Sequence, residues 1–283
     1  DINVEDIDYF VITSIYAKQI KRQLIQEMRV DADRILTYRE YAGKRYAQWI
    51  YSLRYGKKKR NSSKCFNSRN IVVYTAITGE YDELKEPEYT GRGITYVCYT
   101  NNRKLKSANW NIEYIENDGL DDMHLAKAIK LKPHVYCKEF ETSVWVDGSF
   151  RIKEDLRKYI DTYDRGQSIL CFPHYQRRCI YEEAAACIYL RKGKKADIIK
   201  QINGYYGKGY PIDAGLYSLG CIVRNHQDES VQKLMLEWEN ELEKYSYRDQ
   251  LSFPIVCWNN NYTPDICNLY IDNNPFLCIY QHK

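Results

Sequence analysis

Apolar and polar positions fall in blocks along this 283-residue chain and read as strands and helices in turn. The run IVVYTAIT (71–78) is almost continuous and rich in β-branched residues, as in a strand covered on both faces. ITYVCYT (94–100), TSVWVDGSF (142–150) and SILCF (168–172) repeat that character, the third broken at Gly148. Helical spacing predicts helices over 121–132, 154–162, 180–191, 196–206 and 230–245, with another opening at 248–258. GLYSLGCIVR (215–224) reads as two short strands or a hairpin. Strands alternating with helices over about 210 residues predict an α/β fold with a mostly parallel sheet.

Upstream, DYFVIT (8–13) and RILTY (34–38) read as strands around a helix over 14–29, where Ile15, Ile20, Leu24, Ile25 and Met28 recur at helical spacing. One such unit cannot bury both of its faces. It resembles the last βαβ piece of a Rossmann-like domain. With the chain opening at Asp1 rather than Met, residues 1–45 are expected to be the C-terminal remnant of such a domain. Residues 46–69 are expected to be a helical linker, and 70–283 the main domain.

Composition narrows the function class. Apolar residues make up 44% of the chain, enough for a sizeable core, and the net charge of +4 is too mild for a dedicated nucleic-acid binder. Basic residues cluster in Lys57–Arg60 (KKKR), a solvated linker or a contact with anionic lipid or another polyanion. The 10 cysteines include no CxxC pair, which removes paired zinc or thioredoxin spacing. Many sit inside apolar runs and read as buried reduced thiols, so a cytoplasmic location is expected. No stretch reaches the ~18 apolar residues a membrane span needs.

Asp147 is the first candidate for chemistry. It stands at the end of a buried strand, and in open α/β sheets ligands bind outside the carboxyl ends of the strands. Gly148 after it removes a side chain, so a ligand or metal can approach the backbone. A carboxylate there suits a divalent cation that in turn holds a diphosphate; capping of the following turn is the alternative.

Eight blocks in order then carry a resemblance: YTAITGEYDEL (74–84), VCYTNN (97–102), HLAKAIKLKPH (124–134), SVWVDGSF (143–150), FPHYQRRCIYEEA (172–184), PIDAGL (211–216), VRNH (223–226) and RDQLSF (248–253). From residue 70 onward the chain resembles the TOD1/MUCI70 glycosyltransferase-like domain family. That resemblance implies a GT-A-like fold, with one Rossmann-like half for a nucleotide-sugar donor and the other for an acceptor. It places the donor against Thr75, Ile77, Gly79, Tyr81 and Asp82 after the first strand, and against Asn101 after the second. Lys127 and Lys130, three apart on one helix face, and Arg177 are expected to meet the sugar diphosphate. Gly148, Ser149, Arg248 and Gln250 complete the donor set.

Asp147, Asp213, Asp249, His174 and Glu183 are the candidate catalytic groups, and Asp147 the candidate ligand of Mn²⁺ or Mg²⁺. The usual Asp-x-Asp is here Asp147-Gly148-Ser149, one carboxylate short. His226 follows a strand, where a lone His is more often structural than a metal ligand. The expected function is transfer of a sugar from a nucleoside-diphosphate sugar, a UDP-sugar by analogy, to a surface polysaccharide or its lipid-linked precursor. The rivals are a sugar-phosphate transferase and a non-catalytic carbohydrate- or nucleotide-binding module.

Overall fold

The computed structural model describes residues 10–12, 17–27, 29, 35–37, 64–66, 70–212 and 214–280. The chain divides into two compact units, one of residues 1–59 with 175–177, the other of 60–174 with 178–283. In the first, β1 (Phe10–Ile12) and β2 (Ile35–Thr37) pair in parallel, joined by α1 (Ala17–Gln26). The Lys21 ammonium on α1 donates to the Ile35 carbonyl at 3.1 Å. The linker over 46–63, with its Lys57–Arg60 cluster, and Asp213 lie outside the described residues.

The second unit opens on the β-branched run, now β3 (Ile71–Ile77), followed by β4 (Ile94–Thr100) and β5 (Asn111–Tyr114). Then come α2 (Asp122–Leu131), α3 (Pro133–Tyr136), β6 (Thr142–Val146) and β7 (Phe150–Ile152). The remainder is α4 (Leu156–Tyr163), β8 (Ile169–Pro173), α5 (Ile180–Tyr189), α6 (Lys195–Gly207), β9 (Tyr217–Asn225), α7 (Glu229–Lys244), α8 (Asp249–Asn259), β10 (Asp265–Ile266) and β11 (Leu277–Ile279).

Seven strands form one sheet in the order β10-β8-β9-β6-β3-β4-β5. Every neighbouring pair is parallel except the two that involve β9. The fold is therefore a mixed α/β one with a mostly parallel sheet, as the strand–helix alternation predicts. Strands β3 and β6 are buried almost throughout, which matches their lack of polar alternation.

Two elements differ from the sequence reading. Residues 142–150 do not form one strand, because the chain leaves the sheet at Val146 and re-enters a separate two-stranded pair, β7 with β11. Residues 215–224 do not turn back as a hairpin. They run as one strand of nine residues, antiparallel to both β6 and β8. Gly220 sits inside that strand because the Phe150 ring crosses it: a Cβ there would lie 2.6 Å from Phe150 Cε2 and 3.1 Å from Asp147 Oδ2. Gly220→Ala is therefore expected to destabilise the protein by about 1–3 kcal/mol through overpacking, read as a lower urea midpoint at unchanged slope.

One buried cation ties the helix layer to the sheet. Arg224 on β9 is fully buried and donates through Nη1 to the Lys130 carbonyl at 2.8 Å. It also bonds the Tyr74 hydroxyl, which itself donates to the same Lys130 carbonyl at 2.9 Å. The C-terminal turn of α2 is thus pinned to β3 and β9, which fixes the side chains that α2 carries toward the strand ends. His226, at the far end of β9, is buried with Nε2 3.0 Å from the Cys137 carbonyl. Since β9 runs against β6, that is the end of the sheet opposite Asp147. All ten cysteines are free and eight are buried. Burial pushes the Cys98 and Cys137 thiols up to about 12, so they act as apolar core groups. Among the described residues no helix is long and apolar enough to cross a membrane.

Candidate active site

The chain runs outward from β3 through β4 to β5, then returns to place β6 on the other side of β3. The strand order reverses between β3 and β6, and a crevice outside the carboxyl ends of the strands forms at such a point. The loops that leave β3 and β6 carry Gly79, Asp82, Asp147 and Gly148. They approach closely: a Cβ on Gly148 would stand 2.6 Å from Ile77 Cδ1 and 3.3 Å from Asp82 Oδ2. The bare backbone at Gly148 therefore lies directly under the Asp82 carboxylate.

Asp147 is held at its root and open at its tip. Its Oδ1 accepts from Trp145 Nε1 at 2.5 Å and lies 3.4 Å from the Lys130 ammonium. Trp145 lies on β6 and Asp147 directly follows that strand, two residues on and so on the same face. Oδ2 receives no hydrogen bond from the described residues, and the side chain is 40% exposed.

Behind Asp147 lies a buried ion cluster. Asp249, the first residue of α8, accepts from Lys127 through Oδ1 and from Lys130 through Oδ2, each at 2.6 Å. The Lys130 and Asp249 side chains are 3% and 8% exposed, and Lys127 is 24% exposed. Burial works to raise the Asp249 carboxyl, but the two ammonium groups outweigh it and hold it well below the usual carboxylate range. Burial also opposes the Lys130 charge; here Asp147 and Asp249 prevail and raise its pKa. Lys127 is lowered by its burial and by Lys130 beside it, despite Asp249. Two lysines face two aspartates, so the cluster is neutral before any ligand arrives. A carboxylate with both oxygens occupied and its pKa depressed is a weak proton acceptor.

Beside the loop that leaves β3 lies a knot of amides. Asn101 accepts from the Gly79 N–H at 3.0 Å, and its Nδ2 donates to Asn117 Oδ1 at 2.8 Å and Asp122 Oδ1 at 2.6 Å. Asn117 Nδ2 also reaches Asp122 Oδ1, at 3.1 Å. Gly79 has a φ of +61°, which suits glycine, and the Asp122 carboxylate occupies the place of its missing Cβ. The sequence assigns Asn101 to the donor; its amide is committed to tying the β3 and β4 exit loops to the start of α2.

The remaining candidates sit in differing surroundings. Thr75 and Ile77 are buried in β3, with Thr75 Oγ1 lacking a partner among the described residues and the Ile77 carbonyl accepting from Thr100. Tyr81 is 65% exposed. Ser149 is buried at the turn into β7, where its carbonyl accepts from the Tyr280 N–H at 2.8 Å. His174 follows β8 with Nε2 3.6 Å from Glu183 Oε2, both residues nearly fully buried. Cys187 Sγ donates to Glu183 Oε1 at 3.4 Å. Arg248 and Gln250 flank Asp249 and are half-buried. Arg177 belongs to the 175–177 segment of the first unit, where its Nη1 donates to Gln176. Asp213 lies outside the described residues.

Three participants were missed in the sequence. Trp145 had a usable signal, its i, i+2 spacing from Asp147. Asp122 and Asn117 had none, because they meet Asn101 from 21 and 16 residues away.

Comparison with known proteins bears on this arrangement. Residues 98–274 match the family model described as "TOD1/MUCI70, glycosyltransferase-like domain". The chain is also similar to the "Probable hexosyltransferase MUCI70" of Arabidopsis thaliana, 22% identical over 216 residues. That stretch covers 66% of this chain and 37% of the relative, so the chain spans little more than a third of that protein. The family match runs from β4 to the segment after β10 and takes in the whole Asp147 cluster. The chain belongs to the TOD1/MUCI70 glycosyltransferase-like domain family.

Proposed function

We propose that residues 70–283 form a GT-A-type glycosyltransferase domain that binds a nucleoside-diphosphate sugar in the crevice between β3 and β6. The observation that carries the reading is Asp147, a carboxylate with one oxygen that takes no hydrogen bond from the described residues, at the strand end where the sheet order reverses. The single reversed strand β9 beside β6, in an otherwise parallel sheet, supports the GT-A assignment. The loop after β3, from Gly79 to Asp82, offers backbone groups and a carboxylate for the nucleoside. Asn101, Asn117 and Asp122 shape that loop rather than touch the donor. A UDP-sugar is the donor we favour, and a glycan or lipid-linked glycan hydroxyl the acceptor that attacks the anomeric carbon.

The charge balance of the cluster bears on the diphosphate. Lys127 and Lys130 are already neutralised by Asp249 and Asp147, so they bring little net positive charge to an incoming anion. Asp249 and the lysines accordingly act as a positioning group that aims Asp147. Asp147 would be the protein ligand of a divalent cation, Mn²⁺ or Mg²⁺; among the described residues no cluster of three or more metal-ligating side chains stands there to hold it without the donor. It would be held by the free carboxylate oxygen and would supply the charge that stabilises the departing diphosphate. A second carboxylate from Asp-x-Asp is absent, so such a cation would depend on the diphosphate for most of its ligands.

A thermal-shift screen of UDP, GDP and CMP and their sugars, with and without Mn²⁺, tests this. At a hundredfold excess over Kd the matching ligand is expected to raise Tm by about 5 °C or more. No shift and no turnover with any donor would leave the non-catalytic module as the better reading. A product that retains phosphate in its new linkage would replace sugar transfer by sugar-phosphate transfer.

A further inference from the structure

The segment from the end of α5 through the loop after α6 combines exposed cations with exposed large apolar side chains. Residues 189–212 hold six cations, Arg191, Lys192, Lys194, Lys195, Lys200 and Lys208, all exposed, against the single carboxylate Asp197. The whole chain is only +4, so the remaining residues together come out slightly acidic. Large apolar side chains stand exposed among these cations: Tyr189 at 68%, Leu190 at 52%, Ile199 at 41%, Tyr206 at 70% and Ile212 at 69%. On α6, Ile199, Ile202 and Tyr206 follow at spacings of three and four and share one face. Ile198 and Tyr205 face the core instead.

The cationic loop is built rather than frayed. Helix α5 closes with Arg191 in the left-handed region, φ +54°, and the Lys192 N–H returns to the Cys187 carbonyl at 2.8 Å. Tyr181 donates its hydroxyl to the Tyr210 carbonyl at 2.8 Å, which anchors the loop carrying Ile212. Gly193 packs toward Arg248, with its absent Cβ 3.9 Å from Arg248 Cδ. The loop therefore lies next to the residue that precedes Asp249.

We propose that this surface, centred on the 191–195 loop and the Ile199–Tyr206 face of α6, docks the protein on an anionic lipid bilayer. Cations attract the negative headgroups, and the apolar side chains between them enter the interfacial layer. A soluble polyanion would use the cations but leave Tyr206 and Ile212 without a role. Because the loop borders Arg248, docking would hold the strand-end crevice near the membrane, where a lipid-linked acceptor resides. That last consequence rests on the transferase reading; the docking itself does not.

Co-sedimentation of the full 283-residue chain with vesicles tests the proposal without any activity assay. Binding is expected to vesicles that contain phosphatidylglycerol and not to phosphatidylcholine alone, and to weaken as salt is raised. The triple variant Lys192→Gln, Lys194→Gln, Lys195→Gln is expected to bind about a hundredfold more weakly, at roughly fivefold per cation. Tyr206→Ser with Ile212→Ser is expected to lose about tenfold or more while the cations remain; Ile212→Ser alone serves if the pair unfolds. Equal binding to neutral and anionic vesicles, or none to either, overturns the proposal. So does full binding by both variants, or its complete loss when Lys57–Arg60 are replaced by Gln. Binding to dextran sulfate that ignores the Tyr206 and Ile212 changes, with no vesicle binding, would make the surface a polyanion site instead.

Discussion

Asp249→Asn is expected to lower the unfolding free energy by about 3–5 kcal/mol, read from urea denaturation at neutral pH. The substitution keeps the shape of the side chain and removes its charge. Lys130, 3% exposed, then has Asp147 at 3.4 Å as its one carboxylate partner among the described residues, while Lys127, a quarter exposed, can still reach water. The orphaned Lys130 ammonium accounts for most of the loss, because a buried charge without a close partner cannot recover its desolvation cost. Adding Lys130→Met to Asp249→Asn is therefore expected to recover a substantial part of the stability. If the double variant were as unstable as Asp249→Asn alone, the cluster would not be the cause. The pH dependence has a definite sign. The folded Asp249 carboxyl is depressed below its ordinary value of 3.8, so its contribution is complete above that value. The contribution is lost as pH falls through the lower, folded pKa. The difference between wild type and Asp249→Asn should hold constant from neutral pH down to the ordinary carboxylate range and shrink below it.

Asp147→Asn is expected to behave in the opposite way, leaving the fold intact and removing activity. Its amide oxygen can still accept from Trp145 Nε1, Lys130 keeps Asp249 at 2.6 Å, and the side chain is 40% exposed. Stability should stay within about 1 kcal/mol of wild type. Turnover, once a donor is identified, should fall by about 10²–10³-fold, the range for loss of one charged group that faces the transition state. The Mn²⁺-dependent part of a nucleotide-induced thermal shift should disappear with it. Wild-type-like turnover in this variant would remove Asp147 from the chemistry. The two variants separate the proposed roles within one cluster, since Asp249 has both oxygens bonded to buried lysines and Asp147 is 40% exposed.

The local alphabet of the chain carried a large part of this. Near-continuous β-branched runs can satisfy themselves only as strands covered on both sides, so β3, β4, β6 and β8 were legible as a buried, mostly parallel sheet. Asp147 stood out because a carboxylate that ends such a strand either caps the next turn or meets a ligand. Lys127 and Lys130 were legible as a pair because helical geometry puts i and i+3 on one face. Strand β5 was not legible: NIEY is short, mostly exposed at the sheet edge, and has no apolar period.

What the two lysines face could not be read locally. Their partner Asp249 is 122 and 119 residues away, and only the tertiary fold, which packs α8 against α7, α5 and β9, brings it to them. For the same reason the ties of Asn101 to Asn117 and Asp122 could not be read from the strand end where it stands. The direction of β9 was a tertiary decision too, since Gly220 reads as a break until the Phe150 ring is seen lying across it. By itself the sequence determined most of the helices and buried strands, the fold class and the strand-end position of Asp147, all of which follow from apolar runs and the 3.6-residue period within single segments. The tertiary structure alone decided which charges are already neutralised, because that depends on distances between segments that local periodicity does not contain.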